Sequence, residues 1–144
     1  MVAEKIDYEK YPLKEYEYWT VYLHHNQAYL GRTYIALNRT GSLDAYKDTT
    51  PEERKELESI IKKLQKVLNN LYNPDIYNYA TFGNTWLRCH WHMIPRYRNA
   101  RAIDGQEFTD ENWGKNYAPY NRSFEVSKEI FEQINKGITD GLNS

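Results

Sequence analysis

The stretch Trp86-Leu87-Arg88-Cys89-His90-Trp91-His92-Met93-Ile94-Pro95 decides how this chain folds and where its chemistry lies. Successive side chains of a β-strand point to opposite faces. Read that way, Leu87, Cys89, Trp91 and Met93 make one apolar face, and Trp86, Arg88, His90, His92 and Ile94 make the other. The apolar face asks for a covering helix. The opposite face lines up a guanidinium and two imidazoles at steps of roughly 6–7 Å.

The covering helix lies upstream. Thr50 is its predicted N-cap, Pro51 suits the first helical position, and Glu53 completes a Thr-x-x-Glu capping box. Leu57, Ile60, Ile61, Leu64, Val67, Leu68 and Leu71 recur at three-and-four spacing until Asn73-Pro74 stops the helix. Two extended runs rich in β-branched and aromatic residues precede it, Glu17 to His24 and Arg32 to Asn38, followed by turn chemistry at Gly41-Ser42. A further strand is predicted from Ile76 to Phe82, separated from the Trp86 run by Gly83-Asn84.

At the ends, residues 1–15 read as a polar arm and 97–122 as an extended loop. The span 123–138 reads as a terminal helix with Val126, Ile130, Phe131 and Ile134 inward and Gly137 at its C-cap. The whole of 1–144 reads as a single α+β domain with a mostly antiparallel sheet.

Composition narrows the function classes. With 144 residues, 40% hydrophobic and 27% charged, the chain fits one domain able to bury a core. A net charge of −1 supplies no global field for nucleic acid or a membrane, so neither partner is expected and any anion site must be local. The single cysteine, Cys89, excludes a disulfide framework and a cysteine metal cluster and suits a reducing compartment. The first residues carry no apolar run, so a cytoplasmic location is expected. Neither a Walker loop nor a dinucleotide fingerprint is present.

Three readings of the histidine face remain open. It is a solvated polar face, a metal site joined by His24 or His25, or a phosphate site. A metal lacks a thiol or carboxylate on that face, and Arg88 repels a cation. In the phosphate reading Arg88 holds oxygens with its planar fork while an imidazole attacks phosphorus. That reading uses every polar residue on the face and is preferred. No metal and no cofactor is expected. The tyrosines Tyr18 and Tyr22 share a face with His24, and Trp91 reads as core.

The segment Arg88-Cys89-His90-Trp91-His92-Met93-Ile94-Pro95-Arg96 resembles the signature of the histidine-triad (HIT) family of nucleotidyl hydrolases and transferases. Gly31-Arg32-Thr33-Tyr34-Ile35-Ala36-Leu37 is similar to the family's Pro-Gly-His segment, and Tyr79 to Asn84 to its glycine-amide stretch. The element order agrees as well, over about residues 16–98. This resemblance implies a HIT-like α+β fold and attack by His90 on the α-phosphorus of a nucleoside phosphate derivative, such as a dinucleoside polyphosphate. His92 then contacts the same phosphate, Asn84 holds an oxygen or the leaving group, and His24 faces the sugar. His25 has no matched role. A homodimer with a continuous sheet is implied too.

Two positions depart from the family pattern: Arg88 at the first triad place, and Arg32 where many members carry a further histidine. They are expected to form a joint phosphate clamp. Arginine cannot hand a proton to a leaving group near neutral pH, so anhydrides are expected to outrun phosphoramidates. The alternative is a catalytically weak nucleotide-binding module, in which both arginines tighten binding and slow turnover.

Overall fold

The computed structural model describes residues 6–144; residues 1–5 of the expected arm lie outside them. Five strands form one antiparallel sheet in the order β1-β2-β3-β5-β4. They are β1 (Pro12–Glu15), β2 (Trp19–Leu23), β3 (Thr33–Leu37), β4 (Ile76–Ala80) and β5 (His90–Arg96). Helix α1 spans Pro51–Leu71, a hairpin pairs β6 (Arg101–Ile103) with β7 (Gln106–Phe108), and α2 (Lys128–Leu142) closes the chain.

Both helices pack on one side of the sheet. Trp19, Val21 and Leu23 of β2, Ile35 and Leu37 of β3 and Met93 of β5 meet Leu57, Ile60, Leu64, Val67 and Leu68 of α1. Ile130, Ile134, Ile138 and Leu142 of α2 complete that core. Helix α1 starts as its sequence demands. Thr50 accepts from the Glu53 amide at 3.1 Å while the Glu53 carboxylate accepts from the Thr50 amide at 2.8 Å. Glu53 also pairs with Arg39 at 2.8 Å, which holds its carboxyl down at about 2.

The chain reaches β3 through Gly31, whose φ of +86° and whose Cβ position, 2.8 Å from Leu68 Cδ2, leave no room for a side chain. No helix among the described residues is long and apolar enough to cross a membrane.

Four boundaries differ from expectation. The arm contributes β1, which pairs with β2 because Leu13 has a core position to fill at 5% exposure. The 97–122 loop contains the β6–β7 hairpin, which seats Phe108 in the core. Helix α2 begins at the Ser127 cap and runs through Gly137 to Leu142. Gly137 and Gly141 do not stop it; they face Leu71 and Val67 of α1 and permit close approach of the two helices. Strand β5 starts at His90 rather than Trp86, with consequences for the site.

Candidate functional site

The sheet face turned away from the helices is the floor of the site. Two cross-strand rows supply it: Thr20, Ala36 and His90, and Tyr22, Tyr34, His92 and Ala80. Ala36 opposite His90 keeps that position small. His90 and His92 stand 5.1 Å apart by ring centroid, and His24, just past β2, lies 6.2 Å from His92. All three imidazoles open into one cavity of about 410 Å³. All four histidines gather in one region, since His25 also lines the cavity, exposed and stacked on His24 at 4.6 Å.

His90 has a defined tautomer. Its Nδ1 lies 2.6 Å from the Arg88 carbonyl, a group that only accepts, so the neutral ring donates there and carries its lone pair on Nε2. Burial pushes the His90 pKa below the usual histidine range, against the opposing pull of that carbonyl bond. Burial, then Arg32, then His90 push His92 down to about 3. Burial also holds His24 well below the usual value, with Arg32 next among the causes. Near neutral pH the floor is thus a row of uncharged imidazoles, one with a free basic nitrogen.

Arg88 stands apart from this row. Its amide donates to the Trp86 carbonyl at 2.8 Å, and the Cys89 amide to Ser42 at 2.9 Å, so residues 86–89 turn instead of extending β5. The guanidinium is consumed locally: Nε donates to the Leu37 carbonyl at 2.7 Å, Nη2 to the Asn38 carbonyl at 3.2 Å, and Nη1 pairs with Glu9. The strand alternation that placed Arg88 beside the imidazoles fails here, and with it the joint clamp with Arg32. The same break leaves Leu87 68% exposed rather than against the helix. Trp86 still lines the cavity, its ring 5.0 Å from His90 and stacked on Tyr8 at 5.0 Å.

The remaining predicted residues divide. Arg32 and Asn84 line the cavity. Tyr22 lies beneath it, stacked on Tyr34 at 5.3 Å. Tyr18 packs against the helix-side core instead, since β2 begins only at Trp19. Arg96, which ends the signature stretch, is buried and binds Asp110 through two nitrogens at 2.7 and 3.1 Å. Among the described residues no three of His, Cys, Asp and Glu stand together as metal ligands.

Several cavity residues escaped the sequence reading. Tyr34 was within reach, because it alternates with Arg32 and Ala36 along β3. Ile6, Asp7 and Tyr8 on one side and Tyr117, Tyr120 and Arg122 on the other carry no local signal; long-range folding brings them to the wall. The far wall is fixed by backbone carbonyls. Asn112 Nδ2 donates to Tyr117 at 3.1 Å and Pro119 at 2.8 Å, Asn26 Nδ2 to Asn121 at 3.1 Å, and the Tyr29 hydroxyl to Tyr117.

A five-stranded antiparallel sheet with helices on one face and an imidazole row under a cavity on the other defines an α+β protein with a histidine-based site. Residues 15–99 match the HIT domain family, and the chain belongs to it. A histidine triad protein from Sinorhizobium meliloti superposes with a TM-score of 0.74 at 14% identity, over 91% of this chain and 88% of that one. A hypothetical histidine triad nucleotide-binding protein from Sulfolobus tokodaii gives 0.68 at 18% identity, covering 92% and 83%. The NitFhit protein of C. elegans gives 0.58 at 19% identity, over 92% of this chain and 27% of that chain. No curated protein matches. Family membership points to nucleotide binding or nucleotidyl hydrolase or transferase activity.

Proposed function

We propose that the chain is a nucleotidyl hydrolase or transferase from a branch of the family with arginine at the first triad position. It acts at the α-phosphate of a nucleoside phosphate derivative, such as a dinucleoside polyphosphate. The observation that carries this reading is the His90 ring, anchored through Nδ1 at 2.6 Å to a carbonyl and lining the cavity. Nε2 attacks phosphorus; the P–N bond forms as the bridging P–O bond breaks, and the leaving phosphate departs with the electron pair. The imidazolium character that develops on His90 is stabilised through its Nδ1–H. Water then attacks the phosphorus, the P–N bond breaks, and the water's proton passes to solvent.

In this reading His92, uncharged, contacts the same phosphate and Asn84 an oxygen on it. His24 faces the sugar and Arg32 supplies the positive charge. Arg88 acts through its carbonyl alone. With its guanidinium engaged and no proton to give, leaving groups that need protonation are slow. The reading includes a cytoplasmic homodimer.

Incubation with a diadenosine polyphosphate, quenching without acid and weighing the intact chain is expected to show a nucleotidyl adduct that His90→Ala lacks. Turnover of the anhydride is expected to exceed that of a nucleoside phosphoramidate by at least about tenfold, given that general acid catalysis commonly contributes 10²–10⁴-fold. The second reading, a nucleotide-binding module of weak turnover, keeps Arg32 on the cavity but loses the Arg88 guanidinium, which is engaged elsewhere. Tight nucleotide binding with neither adduct nor turnover would establish it and end the hydrolase proposal.

A further inference from the structure

Arg32 is a buried cation whose neighbours, among the described residues, supply no negative charge. The residue is 4% exposed, and its Nε and Nη1 are buried without a hydrogen-bond partner. Tyr117 and Tyr120 cover the guanidinium, their ring centres 5.4 and 4.8 Å from its carbon. The groups that support its charge are the phenols of Tyr120, Tyr117 and Tyr29; none is a carboxylate. Among the described residues Asp7 is the one carboxylate lining the cavity, and it is not among the groups acting on Arg32. Burying a guanidinium unpaired is strongly unfavourable. Here the buried residue lines a cavity, so its uncompensated charge faces a space that a ligand can enter.

A second guanidinium stands nearby. Arg122 lines the same cavity with its guanidinium carbon 5.5 Å from the Tyr120 ring centre, so two cations contact one tyrosine. These groups sit at a defined place relative to the nucleophile. Ring centroids step from Trp86 to His90 at 5.0 Å, to His92 at 5.1 Å and to His24 at 6.2 Å. Arg32 directly precedes β3, in which Tyr34 pairs with His92 and Ala36 with His90, so it lies toward His92 and away from His90. The positive charge therefore lies beyond His92, displaced from the phosphorus that His90 reaches. The wall that carries it is already fixed by the Asn112 and Asn26 side chains, and binding needs little ordering.

We propose that Arg32, Tyr117, Tyr120 and Arg122 form an anion subsite for the phosphate chain of the leaving group. The substrate is then one whose leaving group carries at least one further anionic phosphate, rather than an uncharged amine or alcohol. This rests on the hydrolase reading for its turnover consequence, but not for its binding consequence. Tyr117, Tyr120 and Arg122 all lie outside the residues matched by the family, so the preference belongs to this chain's own C-terminal segment.

Inorganic tripolyphosphate isolates the subsite, because it has no nucleoside to transfer. Calorimetric titration is expected to show binding to the wild-type chain, weakened at least tenfold by Arg32→Met. The ligand-free Arg32→Met variant is expected to melt at a higher temperature, because an unpaired buried charge has been removed; a merely structural arginine would lower it. Arg122→Gln, at the exposed rim, is expected to lower kcat/KM at least tenfold on a diadenosine polyphosphate and less than twofold on a nucleoside phosphoramidate. Absence of tripolyphosphate binding to wild type, unchanged binding in Arg32→Met, or equal losses on both substrates would overturn the subsite. Tripolyphosphate binding as expected without any nucleotidyl adduct would leave the subsite standing and remove the hydrolase reading.

Discussion

At position 92 burial, a guanidinium and a second imidazole act together to keep one ring uncharged, with a pKa pushed down to about 3. The unfolded chain takes up that proton near the ordinary value of about 6.5. Between those two values the unfolded state holds more protons, so stability is full above pH 6.5 and is lost as pH falls. The slope for one such histidine approaches about 1.4 kcal/mol per pH unit. Urea unfolding at pH 7, 6 and 5, above most carboxylate titration, is expected to show this loss, and His92→Gln to flatten it. An identical slope in the variant would refute the assignment.

His90 and His92 were readable from alternation because both sit inside β5, with register partners Ala36 and Tyr34. Arg88 was not, for a physical reason: its guanidinium satisfies two carbonyls at the end of β3, and that capping role delays the start of β5 from Trp86 to His90. Sequence spacing reports where a side chain would point in an ideal strand, not where hydrogen bonding stops the strand.

Among the elements, α1 was the most legible, since its capping box, its stripe and its stop signal all agree and require no distant partner. Helix α2 was misplaced because glycine has two uses. At 137 and 141 it serves close helix packing instead of termination, and a Cβ at 141 would stand 2.5 Å from Val67 Cγ1. In an open helix Gly→Ala gains about 1 kcal/mol. Here overpacking of about 1–3 kcal/mol opposes that gain, so Gly141→Ala is expected to be neutral to destabilising. The contact is tested by adding Val67→Ala. The double variant is expected to be more stable than the two single effects predict by their sum, by at least about 0.5 kcal/mol, the coupling typical of touching residues. Strict additivity would show that the two helices do not press on each other at this point.

At the scale of the molecule, β4 is a sheet edge, with Ile76 and Tyr79 exposed at 51% and 41%. Beside it runs an apolar groove lined by Tyr46, Leu57, Ile61, Tyr79 and Trp91. Native sheets seldom leave such an edge bare, and the expected occupant is β4 of a second copy, extending the sheet as the family resemblance implies. Sedimentation at micromolar concentration is expected to give twice the chain mass, and Ile76→Lys with Tyr46→Lys to give a single chain with an unchanged melting temperature. A wild-type monomer would refute it.

That an antiparallel sheet is covered on one face by α1 was legible from pattern; its first strand was not. The cavity walls were not, because Tyr8 and residues 117–122 meet the sheet across most of the chain's length. That separation has a lasting effect. His90 and the wall segments around Tyr8 and residues 117–122 are encoded far apart, on stretches that recombination can alter independently. Exchange of either wall segment is thus a route to a different ligand preference around an unaltered imidazole row.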